Sequence, residues 1–293
     1  MTWAALAVNI LFVLFYAPLM DGIERQVRAR LQCRKGPPIT QTWWDILKLL
    51  RRPPVAPEKA VRPIFNLAPL VAFAALLTAF ILVPTLLPHS ITFWGDLILV
   101  IYLMNSATLA LVFGGFASQN PYAHIGADRE VNIFLVEELA LAFVIVTLAI
   151  VNGSLTIEKL FPVQLKLSVA IALIAFVVLV YIASARIPFD IPEAEPEIVE
   201  GALIEYSGSQ LAFAKYAIYL KRLLLFSLLL NFVLPRNGVV RPLLFVIALP
   251  ILSIIYASIE AYCGRYRVTE AIRLLKRISI VTMISWVIAI AGW

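Results

Sequence analysis

Hydrophobic residues run along this chain in long blocks that are almost free of charge, separated by shorter charged segments. A helix that crosses a bilayer core of about 30 Å needs about 20 such residues, and its backbone amides must be hydrogen-bonded within the segment. The pattern predicts eight spanning helices, at about 2–20, 65–87, 94–116, 131–152, 166–186, 209–234, 242–260 and 275–293. We therefore expect an all-α polytopic membrane protein in which residues 1–293 form a single integral membrane domain.

Composition supports this interpretation. The chain is 62% hydrophobic and 14% charged, whereas typical soluble domains are about 45–50% apolar and about 25% charged. The first block is uncharged over 2–20 and is followed by an arginine-rich stretch, which makes it too long for the core of a signal peptide. We expect it to remain as the first membrane span.

Lysine and arginine are concentrated on one side of the predicted spans. Twenty of the 24 lie in or beside the first, third, fifth and seventh loops, and the other four are Lys159, Lys166, Arg236 and Arg241. Because cytoplasmic loops carry the positive excess, both termini are predicted to face outward. The same rule accounts for the net charge of +6, so we do not expect nucleic acid as a partner.

Cysteine and histidine give no support for a redox centre in this chain. An iron–sulfur cluster normally takes four thiolates, and only Cys33 and Cys263 are present. His89 and His124 are too far apart in sequence to favour a haem site within one helix bundle. The sequence contains no Walker loop, HExxH motif or nucleophile elbow. We therefore expect no catalytic residue, cofactor or metal in this chain.

The first loop contains a candidate amphipathic helix, WWDILKLLRR, in which Lys48, Arg51 and Arg52 accompany tryptophan, isoleucine and leucine. Such helices lie at the membrane interface with their apolar face inward, and Pro53 and Pro54 are expected to end this one. Two interpretations stay open. The helix either anchors the loop to anionic headgroups or forms a docking surface for a peripheral subunit.

The fifth loop is strongly acidic. Its carboxylates are Asp190, Glu193, Glu195, Glu197, Glu200 and Glu205, and no Lys or Arg occurs between Ile187 and Ala214. Interleaved apolar residues such as Phe189 and Ile191 predict partial burial. Crowded, partly desolvated carboxylates repel one another, which raises some of their pKa values toward neutrality and suits them to pass protons. A plain solvated acidic loop is the alternative.

Charged residues also lie within or at the ends of predicted spans: Glu137, Glu138, Lys215, Lys221, Arg222 and Glu260. A charge in a spanning helix costs about 2.5–3.5 kcal/mol on insertion scales and marks a candidate functional site. Glu138 lies roughly 12 Å into its span, too deep for its short side chain to reach the headgroups easily. Lys215 can extend to the interface. Lys221 and Arg222 lie deeper, and we expect them to pair with carboxylates.

Three long motifs carry a resemblance to a known family. They are IERQVRARLQCRKGP at Ile23–Pro37, IGADRE followed by Glu138 nine residues after Arg129, and PFDIPEAEPEIVEG with EYSG from Pro188 to Gly208. Over nearly its whole length the chain resembles the family that includes subunit 1 of respiratory complex I and its counterpart in membrane-bound energy-converting nickel–iron (NiFe) hydrogenases.

Two further segments resemble the hydrogenase branch of this family, sometimes named formate hydrogenlyase subunit 4. They are WWDILKLLRRP in the first loop and AKYAIYLKRL, which contains Lys215 and Lys221. Ile218 stands where complex I homologues tend to carry a glutamate, a departure that puts a quinone-type site in doubt. Complex I and the related sulfane-reducing complexes stay open as alternatives.

The resemblance implies a non-catalytic membrane anchor for a hydrophilic redox arm in a prokaryotic cytoplasmic membrane. Expected partners are the large and the small, cluster-bearing hydrogenase subunits and antiporter-like membrane subunits, with ferredoxin acting indirectly. The NiFe centre and iron–sulfur clusters are expected in those partners. Electrons from ferredoxin would produce H2 in the arm, and the energy released would move H⁺ or Na⁺ through the membrane part.

We divide the candidate residues into two sets. The ion-coupling candidates are Glu138, Asp190, Glu193, Glu195, Glu197, Glu200, Glu205, Lys221, Arg222 and Glu260. The arm-docking candidates are Glu24, Arg25, Arg28, Arg30, Arg34, Lys35, Arg129, Arg265 and Arg267. A purely structural scaffold is the alternative of another class. A stand-alone transporter is not expected, because no pair of interrupted half-helices is evident.

Overall fold

The computed structural model describes residues 2–87, 91–160, 166–191, 201–234 and 240–292. Within these ranges the chain is helical and contains no β-strand, which confirms the all-α prediction. The α-helices are α1 (Thr2–Leu31), α2 (Gln41–Leu50), α3 (Arg62–Leu82), α4 (Asp96–Ala117), α5 (Pro121–Asn152), α6 (Ile157–Leu160), α7 (Leu167–Ala183), α8 (Gly208–Val233), α9 (Val240–Tyr262) and α10 (Val268–Ile290). A 3₁₀ turn, Gly201–Leu203, precedes α8.

Six of these helices, α1, α3, α4, α5, α8 and α9, are long and apolar enough to cross a membrane. Helix α7 is apolar but has only 17 residues. Helix α10 is charged up to Arg277, so its uncharged part begins at Ile278. All eight predicted blocks are therefore helical, as expected for a polytopic membrane protein. The count of eight crossings and the outward termini stay predictions.

Helices α1 and α5 extend beyond the blocks predicted for them. Helix α1 continues through the charged segment to Leu31, and α5 begins at Pro121 instead of near residue 131. The predicted boundaries followed hydropathy, whereas Arg, Glu, Gln and Leu favour helix in water as well as in lipid. Asn120 caps α5, since its Oδ1 accepts a hydrogen bond from Tyr122 N at 2.8 Å.

Helix α8 lies at the centre of the bundle, in contact with α1, α2, α3, α4, α7 and α9. Its most apolar stretch is 67% buried, compared with 28% for α1 and for α9. Leu220, Leu223 and Phe226 are fully buried on it. Because α8 is surrounded on several sides, it carries Lys221 and Arg222 into the interior of the protein.

The amphipathic helix predicted in the first loop is present as α2. It packs against α1 and α8 and buries Thr42 and Ile46. Trp44, Leu47 and Leu50 are exposed on its other side. Helix α2 is therefore fastened to the bundle, while an apolar strip remains open to lipid or to a partner.

The 3₁₀ turn approaches α4 and α5 at positions where both helices carry glycine. A Cβ added at Gly126 of α5 would lie 2.6 Å from Gly201 Cα, closer than real Cβ atoms come to another heavy atom. A Cβ at Gly115 of α4 would lie 3.0 Å from Ala202 Cβ. The absence of side chains at these positions lets the turn, and with it Leu203, pack closely where α4 ends and α5 begins.

Candidate functional site

Charged residues repeat with helical spacing along the extended end of α1. Asp21, Glu24, Arg25 and Arg28 occur at positions i, i+3, i+4 and i+7, which places them on one face of the helix. Asp21 and Glu24 are buried, and Arg25 and Arg28 are partly buried. This face therefore points toward the other helices, so three predicted docking residues, Glu24, Arg25 and Arg28, make contacts within the chain itself.

Arg186 lies at the centre of a buried ion-pair network. Its Nη2 donates to Glu24 Oε2, its Nη1 donates to Glu260 Oε2 at 3.1 Å, and Arg28 Nη1 donates to Glu260 Oε1. Glu24, Arg186 and Glu260 are 2%, 3% and 6% exposed. Because an unpaired charge buried to this extent is strongly destabilising, the alternation of two carboxylates with two guanidinium groups makes their burial possible.

A second group of ion pairs and hydrogen bonds joins α1 to α8 and to α2. Arg222 Nη1 lies 3.4 Å from Asp21 Oδ1, and Arg222 Nε donates to Ser184 O at 3.0 Å. Asp21 Oδ2 accepts a hydrogen bond from Thr42 Oγ1 at 2.9 Å and lies 3.4 Å from Arg25 Nε. The expected pairing of Arg222 with a carboxylate is thus present, and the partner is Asp21.

These two groups surround a polar cavity of ≈ 240 Å³. The charged residues of its wall are Asp21, Glu24, Arg25, Arg28, Arg186, Asp190, Lys215, Arg222 and Glu260. Two polar atoms, Glu24 Oε1 and Arg186 Nε, are buried without a hydrogen-bond partner among the described residues. A cavity of this size and polarity has room for several water molecules, each of which needs such partners.

The rim of the polar cavity is formed by Asp190, whose Oδ2 accepts a hydrogen bond from the exposed Arg265 at 2.8 Å. Burial raises the pKa of Asp190, and the charge of Arg265 opposes that shift. Deeper in the cavity, burial and the neighbouring Arg222 lower the pKa of Arg186 to about 10. The Arg186 guanidinium therefore stays charged at neutral pH and can hold Glu24 and Glu260.

A smaller cavity of ≈ 70 Å³ adjoins the polar one and is bounded by residues of α3, α4, α5 and α8. The residues common to both walls are Ala185, Leu203, Ile218 and Arg222. The smaller cavity is mostly apolar, and its remaining charged residues are Glu130 and Lys221. Arg222 thus lies between a hydrophilic space near one end of the bundle and an apolar space between spanning helices.

Lys221 connects the smaller cavity to the carboxylates of α5. It lies close enough to Glu130, Glu137 and Glu138 for its charge to act on each of them. Glu137 is buried, and Glu138 is partly buried near Asn105. The charged groups therefore form a succession that begins at the rim of the polar cavity and ends among the spanning helices. Its members are Asp190, Arg186, Arg222, Asp21, Lys221, Glu130, Glu137 and Glu138.

Several members of this succession were not among the sequence-based candidates. Asp21, Glu130 and Arg186 were missed, and Glu137 was identified as a charge within a span but placed in neither candidate set. The spacing of seven residues between Glu130 and Glu137 places both on one face of α5 and was a usable signal. Arg186 gave none, because its partners are 162 and 74 positions away.

The other predicted residues fall into three groups. Glu193, Glu195, Glu197 and Glu200 lie outside the described residues, so their coupling role stays a prediction. Glu205 accepts a hydrogen bond from Asn120 Nδ2 at the start of α5 and is not part of the cavity wall described above. The exposed docking candidates are Arg30, Arg34, Lys35, Arg265 and Arg267, and Arg129 is partly exposed. Cys33 and Cys263 are exposed free cysteines.

A protein-family model described as NADH dehydrogenase matches residues 4–291, nearly the whole chain. The chain belongs to the NADH dehydrogenase family. This result agrees with the family resemblance of the three long motifs, and two of them, at Ile23–Pro37 and Pro188–Gly208, contribute residues to the polar cavity.

Curated relatives come from both branches of the family. The chain is 36% identical over 229 residues to hydrogenase-4 component C of Escherichia coli (strain K12), covering 76% of this chain and 72% of the relative. It is 34% identical over 235 residues to formate hydrogenlyase subunit 4 of the same organism, covering 78% and 76%. It is 25% identical over 309 residues to an NADH-quinone oxidoreductase subunit of Orientia tsutsugamushi (strain Ikeda), covering 97% and 88%.

The fold of the NADH dehydrogenase family chain is also found in a solved structure. A chain of the membrane-bound sulfane sulfur reductase, an archaeal respiratory membrane complex, superimposes with a TM-score of 0.87 and 24% identity. The match covers 98% of this chain and 99% of that chain. The helix arrangement described above is therefore shared with a chain of that complex.

Proposed function

We propose that this chain is the membrane anchor and coupling subunit of an energy-converting NiFe hydrogenase complex. It docks the hydrophilic redox arm and links ferredoxin-driven H2 production to translocation of H⁺ or Na⁺ in a prokaryotic cytoplasmic membrane. The observation that carries this proposal is the succession of charges from Asp190 at the rim, through Arg186 and Arg222, to Lys221 and the carboxylates of α5. It joins a surface suited to the arm with the interior of the membrane.

Electrostatics supplies a way to transmit the signal along this succession. Two unit charges 4 Å apart interact by about 4 kcal/mol at an effective dielectric constant of 20, so protonating or displacing one group changes the proton affinity of the next. Arg222 is the branch point, because it faces both cavities and binds Asp21. A shift of Arg222 toward the smaller cavity would bring it closer to Lys221 and Glu130 and alter their ionisation.

The hydrogenase branch is favoured by the two relatives from Escherichia coli and by position 218. Ile218 lies in the wall of both cavities, and it puts an apolar side chain where complex I homologues tend to carry a carboxylate. The equivalent subunit of complex I or of a sulfane reductase is the alternative. Those complexes would use the same membrane fold with a different electron donor or acceptor in the arm.

A scaffold role is the second candidate function, and the exposed basic surface favours it. Arg30 lies in the last turn of α1, and Arg34 and Lys35 follow that helix. Arg265 and Arg267 lie between α9 and α10. Exposed cations near the cytoplasmic side suit docking of an acidic surface of the arm. In a pure scaffold, neutralising the buried carboxylates would weaken assembly but leave ion translocation per H2 unchanged.

The branch is tested by purifying the complex from its native membrane through an affinity tag on this chain. The proposal predicts co-purification of a nickel-containing large subunit and a cluster-bearing small subunit, with H2 production from reduced ferredoxin. Nickel is measured by mass spectrometry and H2 by gas chromatography. A nickel-free complex that reduces a quinone or sulfane sulfur instead would place the chain in one of the alternative branches.

A further inference from the structure

Helices α7 and α10 pack against each other and leave an apolar groove of ≈ 290 Å³ on the outside of the bundle. Its wall consists of Ile171, Ile174, Ala175, Val178, Ile278 and Val281, with Arg277 as the one charged residue among them. This volume is near the lower end of the range, about 300–1,000 Å³, that is typical of small-ligand pockets. The groove shares no wall residue with the polar cavity or with the smaller cavity.

Arg277 lines this groove, and two further cations precede it on α10. Arg273, Lys276 and Arg277 are exposed and lie within one turn and a third of α10. None of the three has a hydrogen bond or ion pair to the described residues. Glu270, the nearest carboxylate on the same helix, accepts instead from the backbone N–H of Arg267 at 3.4 Å. Like charges at i and i+4 repel one another along a helix, so a bound anion would stabilise this arrangement.

The two helices beside the groove are also short for membrane spans. The 17 residues of α7 span about 26 Å and the uncharged stretch from Ile278 to Ile290 spans about 20 Å. Both are shorter than a hydrocarbon core of about 30 Å. A membrane accommodates such a mismatch by local thinning, which brings headgroup phosphates down to the level of Arg277.

We propose that this groove binds an anionic phospholipid of the cytoplasmic leaflet, with one acyl chain along Ile174, Val178 and Val281 and the phosphate at Arg277. A phospholipid supplies both an apolar chain and an anion, whereas an apolar partner helix would cover the groove but leave Arg277 unpaired. The guanidinium group can bind a phosphate through two parallel hydrogen bonds. Basic pockets between membrane helices on the cytoplasmic side are suited to anionic headgroups.

Native mass spectrometry of the delipidated full-length chain tests this proposal directly. The chain is titrated with phosphatidylglycerol and with phosphatidylcholine that carry identical acyl chains. We expect one phosphatidylglycerol to be retained in preference to phosphatidylcholine, and Arg277→Gln to reduce that preference by roughly fivefold. Ala175→Phe, which fills the groove without changing charge, should reduce binding of the retained lipid.

The matched control is Arg62→Gln, which removes an exposed arginine at the start of α3, away from the groove. This variant should keep the lipid preference of the original chain. Thermal unfolding without added lipid checks that Arg277→Gln and Ala175→Phe are folded. The proposal is overturned if folded Arg277→Gln keeps the preference, or if Arg62→Gln loses as much. It is also overturned if Arg277→Gln sheds a protein subunit from the native complex while lipid retention is unchanged.

Discussion

At the scale of single residues, Arg186 determines whether the carboxylates of Glu24 and Glu260 can be buried. It binds Glu24 and Glu260 at the same time, and both residues are buried inside the protein. In the sequence, Arg186 stands at the end of a hydrophobic block, where an arginine is easily interpreted as part of the positive charge excess of cytoplasmic loops. Its partners, on α1 and α9, come close only when the helices pack.

Replacing Arg186 by Gln should be strongly destabilising. Glu24 would lose its ion-pair partner, and Glu260 would keep only Arg28; breaking a buried pair from one side costs about 3–5 kcal/mol. We expect a marked fall in the unfolding temperature of the purified chain and in its amount in the membrane. Lys35→Gln is the control, since Lys35 is exposed, and it should leave both quantities unchanged. Equal stability of the two variants would argue against the network.

Some charged residues of the site could be predicted from the sequence, and others could not. Glu138, Lys221 and Arg222 could be selected because a charge inside an apolar block is costly and visible in the sequence. Asp21 and Arg186 lie at block ends, where charges are common and carry no such signal. Their role depends on contacts between distant segments, which local pattern does not specify.

At the scale of helices, hydropathy predicted where the blocks lie but not where the helices end. Helix α1 continues through residues that favour helix in any solvent, and α5 starts at a cap formed by Asn120. These extensions matter, because Asp21, Glu24 and Glu130 lie on them or beside their junction with the apolar blocks. A prediction based on apolar length alone therefore underestimates the part of the chain that builds the site.

Asn120→Ala should destabilise the start of α5. It removes the oxygen that accepts from Tyr122 N and the amide that donates to Glu205, and loss of a cap costs about 1 kcal/mol. Hydrogen exchange at the first amides of α5 should become faster. Asn120→Ser keeps a capping oxygen and should show a smaller increase. Unchanged exchange in Asn120→Ala would rule out the cap.

Gly126→Ala should displace the 3₁₀ turn from α5. The added Cβ would lie 2.6 Å from Gly201 Cα, which is backbone and cannot rotate away, and overpacking of this kind costs about 1–3 kcal/mol. We expect a lower unfolding temperature and faster proteolysis near residue 201. At Gly264 an added Cβ meets nothing within 4 Å, so Gly264→Ala is the matched control. If both variants behave alike, the close packing of the turn is unimportant.

At the scale of the whole molecule, the charged residues around the two cavities form one connected arrangement. The polar cavity lies near the predicted docking surface for the arm, and the smaller cavity lies among spanning helices. Arg222 is part of the wall of both cavities. The family and the all-α architecture could be inferred from the motifs and the hydropathy of the sequence. The connection through Arg222 could not, because it depends on how α8 packs against α1 and borders both cavities.

The most direct test of this account is the number of ions moved per H2 produced by the complex in sealed vesicles supplied with reduced ferredoxin. We predict that Glu137→Gln, which removes a buried charge near Lys221, assembles and produces H2 but moves far fewer ions per H2. Glu158→Gln is the control, because Glu158 lies on α6 and accepts from Thr92 at 3.0 Å, and it should keep the original ratio. An unchanged ratio in assembled Glu137→Gln would contradict the coupling role of the buried charges.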